Sequence, residues 1–235
     1  MKKIALFQSN YIPWKGYFDI INDVDVFVFY DDVQYTKRDW RNRNIIKPKT
    51  GTQWLIVPVV NDKLREKKIY EVEIDSKSQW QEKHLKTLML SYSKAPYINQ
   101  YTTLLEEIYQ GKIWMNLAEM NVHFTKLICK ELGIVADFHN LQDLNVLGDK
   151  DGERVINVCK KLGCNYVING PAAQDFTDMS LFDEAGITIE FKNYDYPTYR
   201  QLNLPFVHKV SILDLLINTG HEAPYYIWGW KEKDI

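Results

Sequence analysis

The run Val24-Asp25-Val26-Phe27-Val28-Phe29 leads straight into Tyr30-Asp31-Asp32-Val33-Gln34-Tyr35-Thr36-Lys37-Arg38-Asp39-Trp40-Arg41-Asn42-Arg43-Asn44. The first part is β-branched and aromatic with almost no alternation, which reads as a strand buried on both faces, the habit of parallel sheets. The second part is polar and rich in bases and amides. Polar groups just beyond the carboxyl end of a parallel strand are where open α/β sheets build ligand sites. Arg38, Arg41 and Arg43 can grip phosphate or carboxylate through paired donors, and Lys37 adds a fourth charge. Gln34, Asn42 and Asn44 both donate and accept, which suits sugar hydroxyls. A solvated basic loop before the next strand is the plainer reading of the same residues.

The flanking sequence supports a sheet wound with helices. Residues 4–8 form a short apolar strand that Ser9-Asn10-Tyr11-Ile12-Pro13 breaks. Trp14, Tyr17, Phe18 and Ile21 then recur at helical spacing, with Pro13 suited to the first turn. Strand, helix and strand in that order predict parallel neighbours joined by a right-handed crossover. Further strands are expected at residues 52–59, ended by Pro58, and at 70–74, where apolar and polar residues alternate. Helices are expected from Ser78-Gln79-Trp80 to about 92, from Pro96 to about 109, and from 117 to 132, stopped by Gly133. Strand, helix and Gly-Ile pieces then alternate: a strand at 134–141, a helix at 151–162, a strand at 166–170, a helical piece at 176–185, a strand at 187–191. A helix at 210–219 follows, with Ser211 as N-cap and Asp214 completing a capping box. The fold expected is α/β, Rossmann-like and mostly parallel. One domain covers 1–235, with a helical subdomain inserted at about 76–132.

Composition narrows the classes. Against 31 acidic residues stand 29 basic ones, giving a net charge of −2 and no global attraction to nucleic acid or lipid. Between Lys37 and Lys49 there are six bases and one acid, an island that fits a small anion better than a duplex. The three cysteines, Cys129, Cys159 and Cys164, have no close CxxC pairing and read as buried, reduced thiols. No segment is apolar enough to span a membrane, and the amino terminus turns polar too soon for a signal peptide, so the expected location is the cytoplasm. Neither G-x-G-x-x-G nor G-x-x-x-x-G-K-[ST] occurs, which argues against NAD and P-loop nucleotide use.

Gln8-Ser9-Asn10-Tyr11-Ile12-Pro13-Trp14-Lys15-Gly16-Tyr17-Phe18, the run from Asp32 to Asn44, Trp80 with Lys83-His84, and Ser211-Ile212-Leu213-Asp214-Leu215-Leu216 together resemble the WbqC-like protein family over nearly the whole length. Ser9 stands where the family usually has proline after the glutamine, and His208-Lys209 where it usually has proline before the serine. The resemblance implies a role in bacterial surface polysaccharide, often O-antigen, sugar biosynthesis, with transfer of glycine or another acyl group to an amino sugar. The opening strand, helix and strand also look like those of nucleotidylyltransferase-type folds such as pantothenate synthetases. Those enzymes carry histidines where this chain has Trp14-Lys15-Gly16-Tyr17.

Acyl transfer to a sugar amine needs a proton acceptor and donors for the tetrahedral oxyanion. Asp32, just past a strand end, is the candidate acid-base carboxylate, or else a turn aspartate. His84 titrates near neutral pH and shares a helix face with Trp80, as a base or as a histidine packed on the indole. Gln8, Asn10, Tyr11, Trp14, Tyr17, Gln34, Lys37, Arg38, Asn42 and Arg43 are the expected substrate-binding set. No metal site and no tightly bound cofactor are expected. The acyl donor would be CoA, a carrier-protein thioester or aminoacyl-tRNA, and the acceptor a nucleotide-linked amino sugar. A non-catalytic scaffold for glycan enzymes and an ATP-dependent amide ligase are the alternatives. The aromatic tail 225–230 either docks on the body or forms a homodimer contact. A Ser211-His208-Asp214 triad and a calcium site at 149–153 are weaker readings than an N-cap and a helix-starting turn.

Overall fold

A computed structural model describes residues 1–148 and 151–229. Asp149 and Lys150, the first two of the five residues of the acidic calcium motif, and Trp230 of the tail lie outside the described residues. The architecture is mixed α/β. Five short strands, β1 (Lys3–Phe7), β2 (Val26–Phe29), β5 (Asp137–Asn140), β6 (Tyr166–Asn169) and β7 (Thr188–Phe191), form one parallel sheet in the order β5-β2-β1-β6-β7. β1 pairs with β2 from Ile4 opposite Val26 to Phe7 opposite Phe29. Helix α1 (Lys15–Asn22) connects them, as the spacing of Tyr17, Phe18 and Ile21 predicts.

The unbroken apolar run of β2 is explained by its two faces. Phe27 and Phe29 point into the larger hydrophobic cluster, while Val26 and Val28 point into a second one on the other side. The larger cluster takes Phe18 and Ile21 from α1. It also takes Trp80 and Leu88 from α2 (Trp80–Ser91), Ile108 from α3 (Thr102–Gln110) and Phe124 from α4 (Leu117–Glu131). The second is closed by Cys159 on α5 (Asp151–Leu162) and Phe182 on α6 (Met179–Glu184). Each fully buried side chain of this size contributes about 1.5–3 kcal/mol. The helices at 76–132 therefore share a core with the sheet. The three cysteines are buried and unpaired, and burial pushes the Cys129 and Cys159 thiols up to about 12.

Two strand expectations are corrected. Residues 52–59 supply β4 (Gln53–Ile56), which leaves the main sheet and pairs antiparallel with β3 (Arg43–Ile46), a strand whose polar opening gives no strand signal in the sequence. Residues 70–74 form no strand. Ile69–Glu71 is a 3-10 turn closed by a hydrogen bond from Lys68 N to the Glu71 carboxylate, 2.8 Å; Val72 and Ile74 are buried beyond it, and Glu73 and Ile74 make isolated bridges to Asn116 and Val59. The helix expected from Pro96 begins only at Thr102, and Gln79 leads into α2 with a left-handed backbone and no side-chain cap. The piece at 176–185 shrinks to α6, capped by Asp178.

The tail forms a short helix, α8 (Tyr225–Trp228), that packs on α1 with Ile227 fully buried. Helix α7 (Ile212–Thr219) has Ser211 as its N-cap, but Asp214 makes no capping box. Its carboxylate is fully buried and accepts from Tyr92 Oη at 2.7 Å, Tyr199 Oη at 2.6 Å and Gln201 Nε2 at 2.9 Å. No triad forms: His208 packs edge-on against Phe206. Replacing Asp214 by alanine strands three buried donors, so Asp214→Ala should cost about 3 kcal/mol or more. The drop would be read as a lower urea midpoint at unchanged slope.

Candidate functional site

Strand order places a reversal beside β1. β2 and β5 continue on one side of it, β6 and β7 on the other. Between the carboxyl ends of β1 and β6 neither flanking loop can cross, so a crevice opens there. A pocket of about 400 Å³ occupies this place. Asn10, Pro13 and Trp14 from the segment after β1 form one wall, with Ala172 after β6 opposite. Trp40 and Asn44 close a second side, and Tyr194 and Lys209 complete the lining.

The pocket walls are held by buried polar bonds. Tyr11 N donates to Trp40 O at 3.0 Å. Asn44, 2% exposed, donates through Nδ2 to Tyr11 O at 3.0 Å and Ile12 O at 2.8 Å. The Arg41 guanidinium donates to Asn10 Oδ1 and to Ser9 O, and pairs with Asp39 at 3.5 Å. Because Arg41 occupies its oxygen, Asn10 keeps Nδ2 as the end of its amide free to donate to a ligand. Asn121 Nδ2 donates to Arg41 O at 2.8 Å, tying α4 to the same loop. The Trp14 indole stands edge-on to Tyr194, with ring centroids 5.1 Å apart, and lies over Gly16, where a Cβ would collide with it.

The expected site residues divide between this pocket, its supports and loops that do not line it. Asn10 and Trp14 line it. Tyr11 is fully buried behind it, and Tyr17 Oη donates to Gln8 O at 3.1 Å, fixing the end of β1. Asn42 is a strut, donating to Val57 O at 2.8 Å. Gln34 donates to Arg65 O, and Lys37 to Asn61 Oδ1 at 2.6 Å. Arg38 turns the chain at φ 61°, and its carbonyl accepts from Arg43.

Neither Asp32 nor His84 is among the pocket-lining residues. Asp32 is clamped by Lys68 and by Arg154 of α5. Burial alone would raise its carboxyl, but hydrogen bonds and charge from these two cations outweigh it and hold the group below the usual carboxylate range. Its neighbour Asp31 is 1% exposed and accepts from Ser9 N at 2.8 Å; there burial wins and the carboxyl is raised. His84 is 7% exposed, with Nδ1 2.8 Å from Tyr11 Oη, which in turn lies 2.7 Å from Tyr109 Oη. Trp80, Tyr11 and Tyr109 surround its ring. Burial lowers its pKa to about 4, against a hydrogen bond to the Ile56 backbone. Among the described residues no group of three or more His, Cys, Asp or Glu is placed to hold a metal ion, and no helix is long and apolar enough to cross a membrane.

Tyr194, Ala172 and Lys209 were not singled out by sequence reasoning. They come from segments far from residue 10, and no spacing or motif links them to it.

The sequence model of the WbqC-like protein family matches residues 8–226, nearly the whole chain and every wall of this pocket. The chain belongs to the WbqC-like protein family. It is also 43% identical over 228 residues to an uncharacterized protein of Mycobacterium tuberculosis, covering 97% of this chain and 98% of that relative. No solved structure matches it.

His84 gives a pH prediction. The unfolded histidine takes up a proton near its ordinary value of 6.5, whereas the buried one resists until about 4. The unfolded state therefore binds more protons in that window, and stability falls as pH drops from 6.5 towards 4, then levels. Urea midpoints measured from pH 7 to 4 should show this slope, worth up to roughly 3 kcal/mol, and His84→Gln should flatten it.

Proposed function

We propose that this WbqC-like protein transfers an aminoacyl or other acyl group to the amine of a nucleotide-linked amino sugar in surface-polysaccharide biosynthesis. The observation that carries the reading is the switch-point pocket itself. Indoles and a phenol offer flat apolar surfaces for a sugar ring, the Asn10 amide offers a donor for a hydroxyl, and Lys209 offers charge for phosphate. The family resemblance points to the same chemistry, and we read the sheet as Rossmann-like, with a nucleotidylyltransferase-like opening, in a cytoplasmic enzyme.

In this reaction the free amine attacks the carbonyl of a thioester or ester donor. The C–N bond forms as the C–S or C–O bond breaks, and the ammonium proton passes to the departing thiolate or alkoxide. Asn10 Nδ2 and Lys209 are the donors we assign to the developing oxyanion or to a sugar hydroxyl. For Asp32 to act as the base, Lys68 or Arg154 would have to release it. His84, neutral at pH 7, can accept a proton only through Tyr11. We assign both a supporting role, with Asp32 fixing the loop after β2 and His84 fixing Tyr11. The donor would be CoA, a carrier-protein thioester or aminoacyl-tRNA.

Thermal-shift titration with UDP-, dTDP- and GDP-linked amino sugars, beside acetyl-CoA and ATP, tests the reading. A ligand at a hundredfold its Kd should raise the midpoint by about 5–10 °C. Asn10→Ala, Lys209→Ala and Gly16→Ala, the last by displacing Trp14, should each shrink the shift, and Lys209→Ala, at an exposed side chain, should do so with little change in the ligand-free midpoint. No shift with any nucleotide sugar would remove the reading, and a shift with ATP alone would replace it with the ligase.

A further inference from the structure

The β3–β4 hairpin carries a feature that the pocket does not explain. In its register Arg43 faces Ile56 and Ile45 faces Trp54, while Asn44 and Leu55 point the other way into the protein. The first set lies on the outer face, where Trp54 is 40% and Ile56 50% exposed. Trp40, 38% exposed, packs on Trp54 with ring centroids 5.4 Å apart and also lines the pocket, so the two surfaces are continuous. The Arg43 guanidinium lies 4.3 Å from the centre of the Trp54 ring; one of its Nη atoms donates to the Arg38 carbonyl, and its Nε is buried without a hydrogen-bond partner among the described residues. Among the described residues, neither Arg38 nor Arg43 forms an ion pair.

An exposed indole beside a stacked guanidinium that has no ion pair is the pairing that holds a base and its phosphate: the base stacks on the aromatic face and the arginine takes the oxygens. We propose that Trp54, Arg43 and Trp40 form the seat for a nucleoside diphosphate, with the group attached to it passing Trp40 into the pocket. This rests on the pocket being the sugar site.

Calorimetric titration of the full chain with UDP, dTDP, GDP and CoA, and with an amino-sugar 1-phosphate that lacks a base, tests the seat. Trp54→Ala should weaken nucleotide binding at least about fivefold, Trp54→Phe should restore most of it, and the sugar phosphate should bind both proteins alike. The same loss confined to CoA would also support the seat and would place the donor there. Equal nucleotide binding by wild type and Trp54→Ala overturns it. So does sugar-phosphate binding without any nucleotide binding, which leaves the pocket reading standing. Failure of every ligand to bind wild type overturns both.

Discussion

Backbone that leaves the end of a buried strand must find hydrogen-bond partners, because water does not reach it. The segment Ser9 to Pro13 has this problem, since Ser9, Tyr11, Ile12 and Pro13 are all buried. Its solution is the polar run after β2. Asn44 takes the carbonyls of Tyr11 and Ile12, Trp40 accepts from Tyr11 N, and Arg41 takes Ser9 O and the Asn10 side chain. Two loops thus become one rigid wall, and the pocket lies against it. The pre-organisation that a binding site needs follows from satisfying the backbone.

The same junction separates residues that build from residues that meet a ligand. Asn42, Asn44 and Arg41 have the chemistry of sugar-binding groups and spend it on the protein. Asn10 is left with a donor because its oxygen is taken. Trp14, Trp40 and Tyr194 keep open faces because Gly16 and the hairpin hold them at the rim.

Ionised groups at this end of the sheet follow a consistent pattern. Asp32 sits between two cations, and Lys192 pairs with Asp19 and Asp23. Asp31 and Asp214 sit among neutral donors and are raised by burial. These carboxylates and Lys192 keep partners, as buried charge requires, whereas the buried Lys47 Nζ has no hydrogen-bond partner among the described residues. Arg38 and Arg43 form no ion pair there either, and they lie in the loop and hairpin beside the pocket, where an anionic ligand can reach them.

The two-faced burial of β2, the amphipathic α1 and the helices stopped at Gly133 and Gly163 are local consequences of side-chain periodicity and of glycine at positive φ, so they were legible in the sequence. Polar residues beyond β2 were legible as a cluster, though not as a division of labour. Arg43-Asn44-Ile45-Ile46 hid a strand because its opening is polar, and Tyr70 to Ile74 alternates because it crosses the core after a turn. His84 became a buried, neutral partner of Tyr11 through a contact across 73 residues of chain. Tyr194, Ala172 and Lys209 reached the pocket only when the strand order brought β6 beside β1. Local propensity and periodicity act within a few residues and determined the elements. Which side chains meet, and which carboxylates stay charged, depends on burial and long-range contact, so the tertiary structure alone decided them.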